Sequence, residues 1–419
     1  MNKARKAVSL LMLIAVLLLS ACSGSSMSSN KESENNSSNS GSEGQTDEKI
    51  KIGLITSLSG SNASSGEPMK LGVELAVKHI NDDGGINGKE VELLVRDDKG
   101  SPEEAVKVAR DLNNQGVHLF LGVISSSVAL ALSPAMEEMD SILITAAAHS
   151  DRLTGADFNK HYFRITDNAQ MRNYAGAKII AERYPDITKW ATLSPDYEYG
   201  HSTHDNFFKA LKEFNPKTDL IHESWPAFAA PDFKNYITAV QNAKPEGVFS
   251  SLYAGDAIVM SKQAEPYKFY QDLKVFVNPS AEEDIRDQLG EIMHEEWGGL
   301  HYLASAFDNP INNKFVEDYK AANGKDPIGF SAEPYNAALA YKAAIEKVKS
   351  TKTEDVISGL EGLKFDSLSG ERTIRAEDHQ AIKEIIWIHI VPTDAAPGWK
   401  VEEIVIIPGE DIVLPPSVN

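Results

Sequence analysis

From Ile50 onward, short apolar runs rich in β-branched residues alternate with longer segments of helical periodicity, and the alternation continues for most of the chain. A parallel strand pair needs a connection long enough to hold a helix, so this pattern predicts parallel sheets with helices on both faces. Ile50–Thr56 is the first expected strand. The segment from Pro68 to Ile80 follows as a helix, with Leu71, Leu75 and Val77 on one side and Lys70, Glu74 and Lys78 on the other. It ends at the breaker cluster Asn81-Asp82-Asp83-Gly84-Gly85, and Asn87-Gly88 turns the chain into a strand from Glu90 to Arg96. Ser101-Pro102-Glu103-Glu104 supplies an N-cap with proline in the first turn of the next helix. Strands Val117–Gly122 and Ile142–Thr145 flank an alanine- and leucine-rich helix.

A second alternating series starts at Trp190–Leu193. It runs through a helix from Ser202 to Phe214, Leu220–Glu223, Phe233–Ala243, Gly247–Leu252, Asp256–Ala264 and Val275–Val277. Helices are expected again at Asn312–Asn323 and Ser331–Val348, and Ile385–Val391 with Val401–Ile407 as an antiparallel pair. Two series imply two doubly wound α/β domains, and a chain of 419 residues exceeds the size at which one core keeps growing.

The first 48 residues stand apart. Lys3, Arg5 and Lys6 precede the apolar stretch Val8–Leu19, and Ser20-Ala21 makes a small-residue cleavage site, the layout of a secretory signal. Such a stretch is shorter than the roughly 20 apolar residues a bilayer span requires. Leu19-Ser20-Ala21-Cys22 resembles the bacterial lipobox, in which the cysteine becomes the lipid-bearing N-terminus; Cys22 is the one cysteine of the chain. Residues 1–21 are therefore expected as signal peptide, and 22–48 as lipidated cysteine plus linker. From Ser23 to Glu48 the composition is Ser, Asn, Gly and Glu, too polar to offset its own ordering entropy. A leash of about 26 residues has an r.m.s. reach of roughly 25–30 Å. The net charge of −20 argues against nucleic acid or an anionic membrane surface as a charge partner.

In open α/β sheets, ligands sit beyond the carboxyl ends of the strands. Those loops hold Ser57-Leu58-Ser59-Gly60, Ser125-Ser126-Ser127 and Ala146-Ala147-Ala148-His149 in the first series. The second offers Ser194 through Gly200 with Tyr197 and Tyr199, then Tyr253-Ala254-Gly255-Asp256, then Asn278-Pro279-Ser280-Ala281-Glu282-Glu283. Serines beside free helix-start amides suit an anion, though any one of them taken alone reads more readily as a helix cap. Aromatic rings with nearby acids suit the apolar body and cationic end of a small zwitterion. The chain has no Gly-x-Ser-x-Gly elbow, no His-Glu-x-x-His, no Walker phosphate loop and no cysteine nucleophile in its body. His201 and His204 share a helical face without a third ligand, so no metal and no cofactor are expected.

The order of several short motifs resembles the branched-chain amino-acid binding proteins of bacterial ABC importers. They are Ile52-Gly53 through Ser59-Gly60, Gly66, Gly72 through Ile80-Asn81, Gly84 to Gly88 and Asp97-Asp98. Gly122 through Ser127, Phe163 to Thr166, Asp196 to Gly200 and Pro231-Asp232-Phe233 continue the series. The resemblance spans Lys49 to about Ile407.

It implies a type I periplasmic-binding-protein fold, with two α/β lobes joined by three crossovers near Thr166, Leu303 and Leu368–Gly370. Lobe 1 would hold residues 49–166 and 304–368, and lobe 2 residues 167–303 and 369–419. The implied function is that of a monomeric, non-enzymatic, extracytoplasmic lipoprotein that captures a small polar solute by hinge closure and delivers it to membrane permease subunits. By the same resemblance Ser126, with Ser125 beside it, matches the serine that binds a ligand carboxylate. Ala147 and His149 match a backbone-and-hydroxyl position, Tyr199 and Tyr253 match second-lobe aromatics, and Phe330 matches a side-chain pocket residue.

Three departures bear on the ligand: Ser65 replaces a frequent aromatic, His149 a threonine, and Ser280 the carboxylate that pairs with a ligand ammonium. Asp256, Glu282, Glu283 or Glu333 stand as replacement anions, or the solute lacks an ammonium. Amino acids, short amides and organic acids all remain open as ligands. Two other functions are open on the residues: a sensory module of the same fold, and a hydrolase using Ser125 or Ser126 with His149 and Asp151.

Overall fold

The computed structural model describes residues 49–416. The signal, Cys22 and the leash lie outside the described residues. The first sheet contains β1 (Ile50–Thr56), β2 (Val91–Asp97), β3 (Leu119–Gly122), β4 (Ile142–Thr145) and β5 (Tyr162–Arg164), in the order β2-β1-β3-β4-β5. All four pairings are parallel. Helices Ala63–Asp82 and Gly329–Val348 cover one face, burying Leu54, Ile144 and Phe163 against Val73, Ala76 and Tyr341. Helices Pro102–Asn113 and Ser126–Glu138 cover the other, around Phe120 and Leu143. With both faces covered, the strands read as continuous apolar runs instead of alternating ones.

The second sheet has β6 (Lys189–Leu193), β7 (Asp219–Ser224), β8 (Gly247–Phe249), β9 (Val275–Asn278) and β10 (Glu296–Leu300) at its parallel end. A small separate sheet of β11 (Lys364–Ser367), β12 (Gly370–Ile374) and β13 (Ala381–Ile382) precedes β14 (Ile385–Pro392) and β15 (Trp399–Ile407). These last two close the second sheet antiparallel, in the order β15-β14-β10-β9-β8-β6-β7. This is the type I periplasmic-binding-protein architecture, and the antiparallel pair is where the sequence pattern places it.

The chain leaves the first sheet after β5, returns after β10, and crosses again between Ile382 and Ile385. That third crossing comes later than Leu368–Gly370. Leu368, Ile374 and Ala381 pack in the core with Leu54 and Phe163, and Gln380 bridges to Arg164 of β5, so the small sheet is an annex of the first lobe. The first helix also begins before the expected Pro68, at Ala63. Its opening turn lies so close to the loop after β1 that a Cβ on Gly66 would meet the Ser57 carbonyl oxygen at 1.8 Å. Glycine is what permits that approach.

Candidate functional site

The strand ends of both lobes converge on one small cavity. From the first lobe come Ile124 after β3, Ala147 and His149 after β4, and Phe330 at the start of helix Gly329–Val348. From the second come Tyr197 and Tyr199 at the start of helix Glu198–Phe214, Tyr253 before helix Ala254–Ala264, Ser280 after β9 and His301 after β10. Its free volume is about 10 Å³, close to the minimum for one water. The protein's own polar groups fill the rest. Tyr199 Oη lies 2.8 Å from Ser280 Oγ, Tyr197 Oη donates to Tyr253 Oη at 2.9 Å, and His149 Nε2 meets His301 Nε2 at 2.8 Å. A solute larger than water requires these groups to move and the lobes to part.

The lobes are held together by hydrogen bonds around this cavity. Ser61 Oγ donates to Asp256 Oδ1 at 2.9 Å, Ser150 Oγ to Glu198 Oε1 at 2.5 Å, and the Gly329 amide to Glu282 Oε2 at 3.1 Å. A larger cavity of about 250 Å³ adjoins the end of β10, beside Leu300, Tyr302, Glu282 and Arg286, and one of about 460 Å³ lies beside His79, Lys314 and Tyr335, away from the strand ends. Neither is lined by the loops that follow β3 and β4.

Behind the cavity lies a buried ionic network that joins the crossovers. Arg172 grips Asp167 with two bonds, of 2.7 and 2.8 Å, and donates to the Pro279 carbonyl at 2.9 Å. Lys383 donates to the His301 carbonyl at 2.6 Å and stands 3.4 Å from Glu333, which also pairs with Arg372 at 2.5 Å. Burial alone would raise the Asp167 carboxyl, but Arg172 and Lys383 outweigh it and hold it well below the usual range. Burial would likewise raise Glu282, and its bond to His301 leads the influences that lower it instead. His149 and His301 are both pushed toward the neutral form, first by burial and next by the positive charge of Arg172.

Of the residues expected from the sequence, Ala147, His149, Tyr199, Tyr253, Ser280 and Phe330 come together in this lining. Ser125, Ser126 and Asp256 do not line it. Ser125 stands at the N-cap position of the helix that Ser126 opens, without a capping bond from its side chain, and Ser126 Oγ accepts from the Ser150 amide at 3.2 Å. Asp256 is the acceptor of the interlobe bond from Ser61, and its other oxygen accepts from the Ala229 amide at 2.9 Å. Glu333 belongs to the network behind the cavity. His301, Arg172, Asp167 and Lys383 are additions that the sequence pattern does not single out. His301 follows the glycine-rich strand β10, and only its place after a strand end marks it. Among the described residues no group of three or more metal-ligating side chains is gathered, and no helix is long and apolar enough to cross a membrane.

Two lobes of this topology, with polar and aromatic loops meeting at their strand ends, define a solute-binding protein. The family described as periplasmic binding protein matches residues 49–393, and the chain belongs to it. It is 28% identical over 326 residues to the leucine-, isoleucine-, valine-, threonine-, and alanine-binding protein of Pseudomonas aeruginosa, covering 77% of this chain and 85% of that protein. Among solved structures, it is similar to a solute binding protein of an ABC transporter from Rhodopseudomonas palustris in complex with 3,4-dihydroxy benzoic acid. The TM-score is 0.76 at 22% identity, over 86% of this chain and 98% of that one. A branched-chain amino acid transporter substrate binding protein from Streptococcus pneumoniae, solved with isoleucine, gives a TM-score of 0.75 at 21% identity, over 86% and 100%.

Proposed function

We propose that this chain is the solute-capturing lipoprotein of an ABC importer. Cys22 tethers it to the outer face of the cytoplasmic membrane, the leash holds the two lobes clear of the headgroups, and closure over a small polar solute prepares it for the permease. The cavity built from loops of both lobes carries this reading, because a solute seated there touches both lobes only when they are closed, which couples occupancy to shape. Ala147, His149, Tyr199, Tyr253, Ser280 and Phe330 are assigned to direct contact with the solute. Ser125 and Ser126 bound the site from the helix start, and Asp256 fastens closure. The amino-acid and aromatic-acid ligands of the similar proteins mark out the classes of solute to try.

A thermal-shift screen of the mature chain against branched-chain, polar and aromatic amino acids, short amides and aromatic acids tests the proposal. A solute at 100 times its Kd adds about 2.7 kcal/mol to stability, and at least one class is expected to raise Tm. A screen in which no class does so contradicts the reading. For the anchor, Cys22→Ala is expected to release the chain from the membrane fraction.

A further inference from the structure

At the amino-terminal ends of β1 and β3, opposite the strand ends that carry the solute cavity, lies a second cavity of about 290 Å³. Lys49, Lys51, Lys89 and His118 line it beside Gly116 and Thr351, and among the described residues no carboxylate does. The cavities beside Arg286, His79 and Asp151 all include carboxylates in their linings. In a chain of net charge −20 this sign is the exception. Lys51 Nζ donates to the Gln115 carbonyl at 2.7 Å, a neutral partner that leaves its charge uncompensated. Lys49 pairs with Glu90 at 3.0 Å, and because both side chains are exposed the pair holds loosely. Lys89 is exposed, and His118 Nδ1 donates to the Asp140 carbonyl at 3.0 Å. The turn that brings Thr351 also carries exposed Lys349 and Lys352, while the acids that follow are engaged, Glu354 with Lys160 and Asp355 with Ser350 Oγ. The space is well above the roughly 10–15 Å³ that one water needs, and lysines around it suit a phosphodiester anion.

The position of the cavity in the chain says which phosphodiester reaches it. The leash from Ser23 to Glu48 joins the body at Lys49, itself part of the cavity wall. With Cys22 as the lipid-bearing end, a leash of roughly 25–30 Å reach keeps this end of the body within range of the headgroup layer. So short a tether sets an effective concentration in the millimolar range, at which a weak contact is well populated. We infer that the basic cavity seats anionic phospholipid headgroups of the outer leaflet and so orients the tethered body on the membrane. The inference rests on the reading of Cys22 as a lipid anchor. The overall charge opposes adsorption of an untethered chain, but salt screens that repulsion beyond about 8 Å, and at contact the lysines decide. Each lysine near an anionic surface strengthens the contact by a factor of about five. Seated this way, the loops beyond the strand ends stand roughly 20 Å farther from the headgroups, the length of the seven-residue β1.

Hydrogen–deuterium exchange of the lipidated chain in nanodiscs tests the inference, after mass spectrometry of the intact chain has checked for the lipid on Cys22. A chain without that lipid overturns the anchor reading and this inference together. In discs of equimolar phosphatidylcholine and phosphatidylglycerol, peptides spanning residues 86–90 and 114–119 are expected to exchange about fivefold more slowly than in phosphatidylcholine discs. Peptides of helix Glu198–Phe214 are expected to stay unchanged. Equal exchange in the two discs, with the lipid in place, overturns the inference and leaves the anchor and solute-binding readings standing. Lys49→Gln, Lys51→Gln and Lys89→Gln together are expected to abolish the slowing, with a melting curve confirming the fold, and arginine at the same three positions to retain it. Slowing that survives the three glutamines removes the cavity from any role in it. Inorganic phosphate added to phosphatidylcholine discs is expected to slow nothing. Slowing by phosphate equal to that in the mixed discs assigns the cavity to a soluble anion and overturns its membrane role.

Discussion

Asp284 shows how a single residue couples stability to pH. Both its carboxylate oxygens are covered, and burial, with Glu282 adding to it, pushes the carboxyl up to about 7. A carboxyl raised in the folded state contributes stability in full below its free value near 4, and loses it as pH rises through about 7. Asp284→Asn is therefore expected to raise Tm by a few degrees at pH 7.5 and to leave it unchanged near pH 4, as read by calorimetry. An equal change at both pH values would assign the effect to packing instead. The same scale explains what the sequence concealed at the site. His149, Tyr199 and Tyr253 follow strand ends and are found by position. The partnership of His301 with Glu282 joins residues 19 apart, and that of Lys383 with the His301 carbonyl joins residues 82 apart. No local pattern encodes either pair, because three-dimensional proximity creates both.

At the scale of elements, most strands and helices were readable from apolar runs and caps, since propensity and tertiary packing agree there. The strand β10 was not. Glu296-Trp297-Gly298-Gly299-Leu300 has two glycines and little β propensity, so no strand is expected there. Its neighbours explain the glycines. A Cβ on Gly298 would meet that of Ala281 at 2.4 Å, and one on Gly299 would meet the Pro279 carbonyl oxygen at 2.7 Å. That carbonyl also accepts from Arg172, so β10 presses the loop of Ser280 into place. Gly299→Ala should destabilise the fold by about 1–3 kcal/mol and weaken solute binding together with it. Denaturant unfolding checks the first effect and titration the second. Wild-type stability in this variant would show that the close approach carries no strain. Helix Thr353–Leu360 and the small sheet β11-β12-β13 were also missed, because short segments carry too few residues to establish a period.

For the whole molecule, the alternation of strand and helix revealed two α/β lobes, but the place where the chain crosses for the last time depends on which core captures Ile374 and Ala381. Closure is fastened by hydrogen bonds between the lobes. Asp256 accepts from Ser61 across the cleft, and a charge-assisted hydrogen bond of this kind contributes roughly 1.5–3 kcal/mol. Asp256→Ala is thus expected to weaken solute affinity by about ten- to a hundredfold while the cavity lining stays intact, and an affinity equal to wild type would remove Asp256 from the closure mechanism. The central claim is that a solute and closed lobes stabilise one another. Small-angle X-ray scattering of the mature chain, alone and saturated with the solute that raises its Tm most, tests it directly. The radius of gyration should fall on binding, and superimposable curves with and without solute would contradict capture by hinge closure.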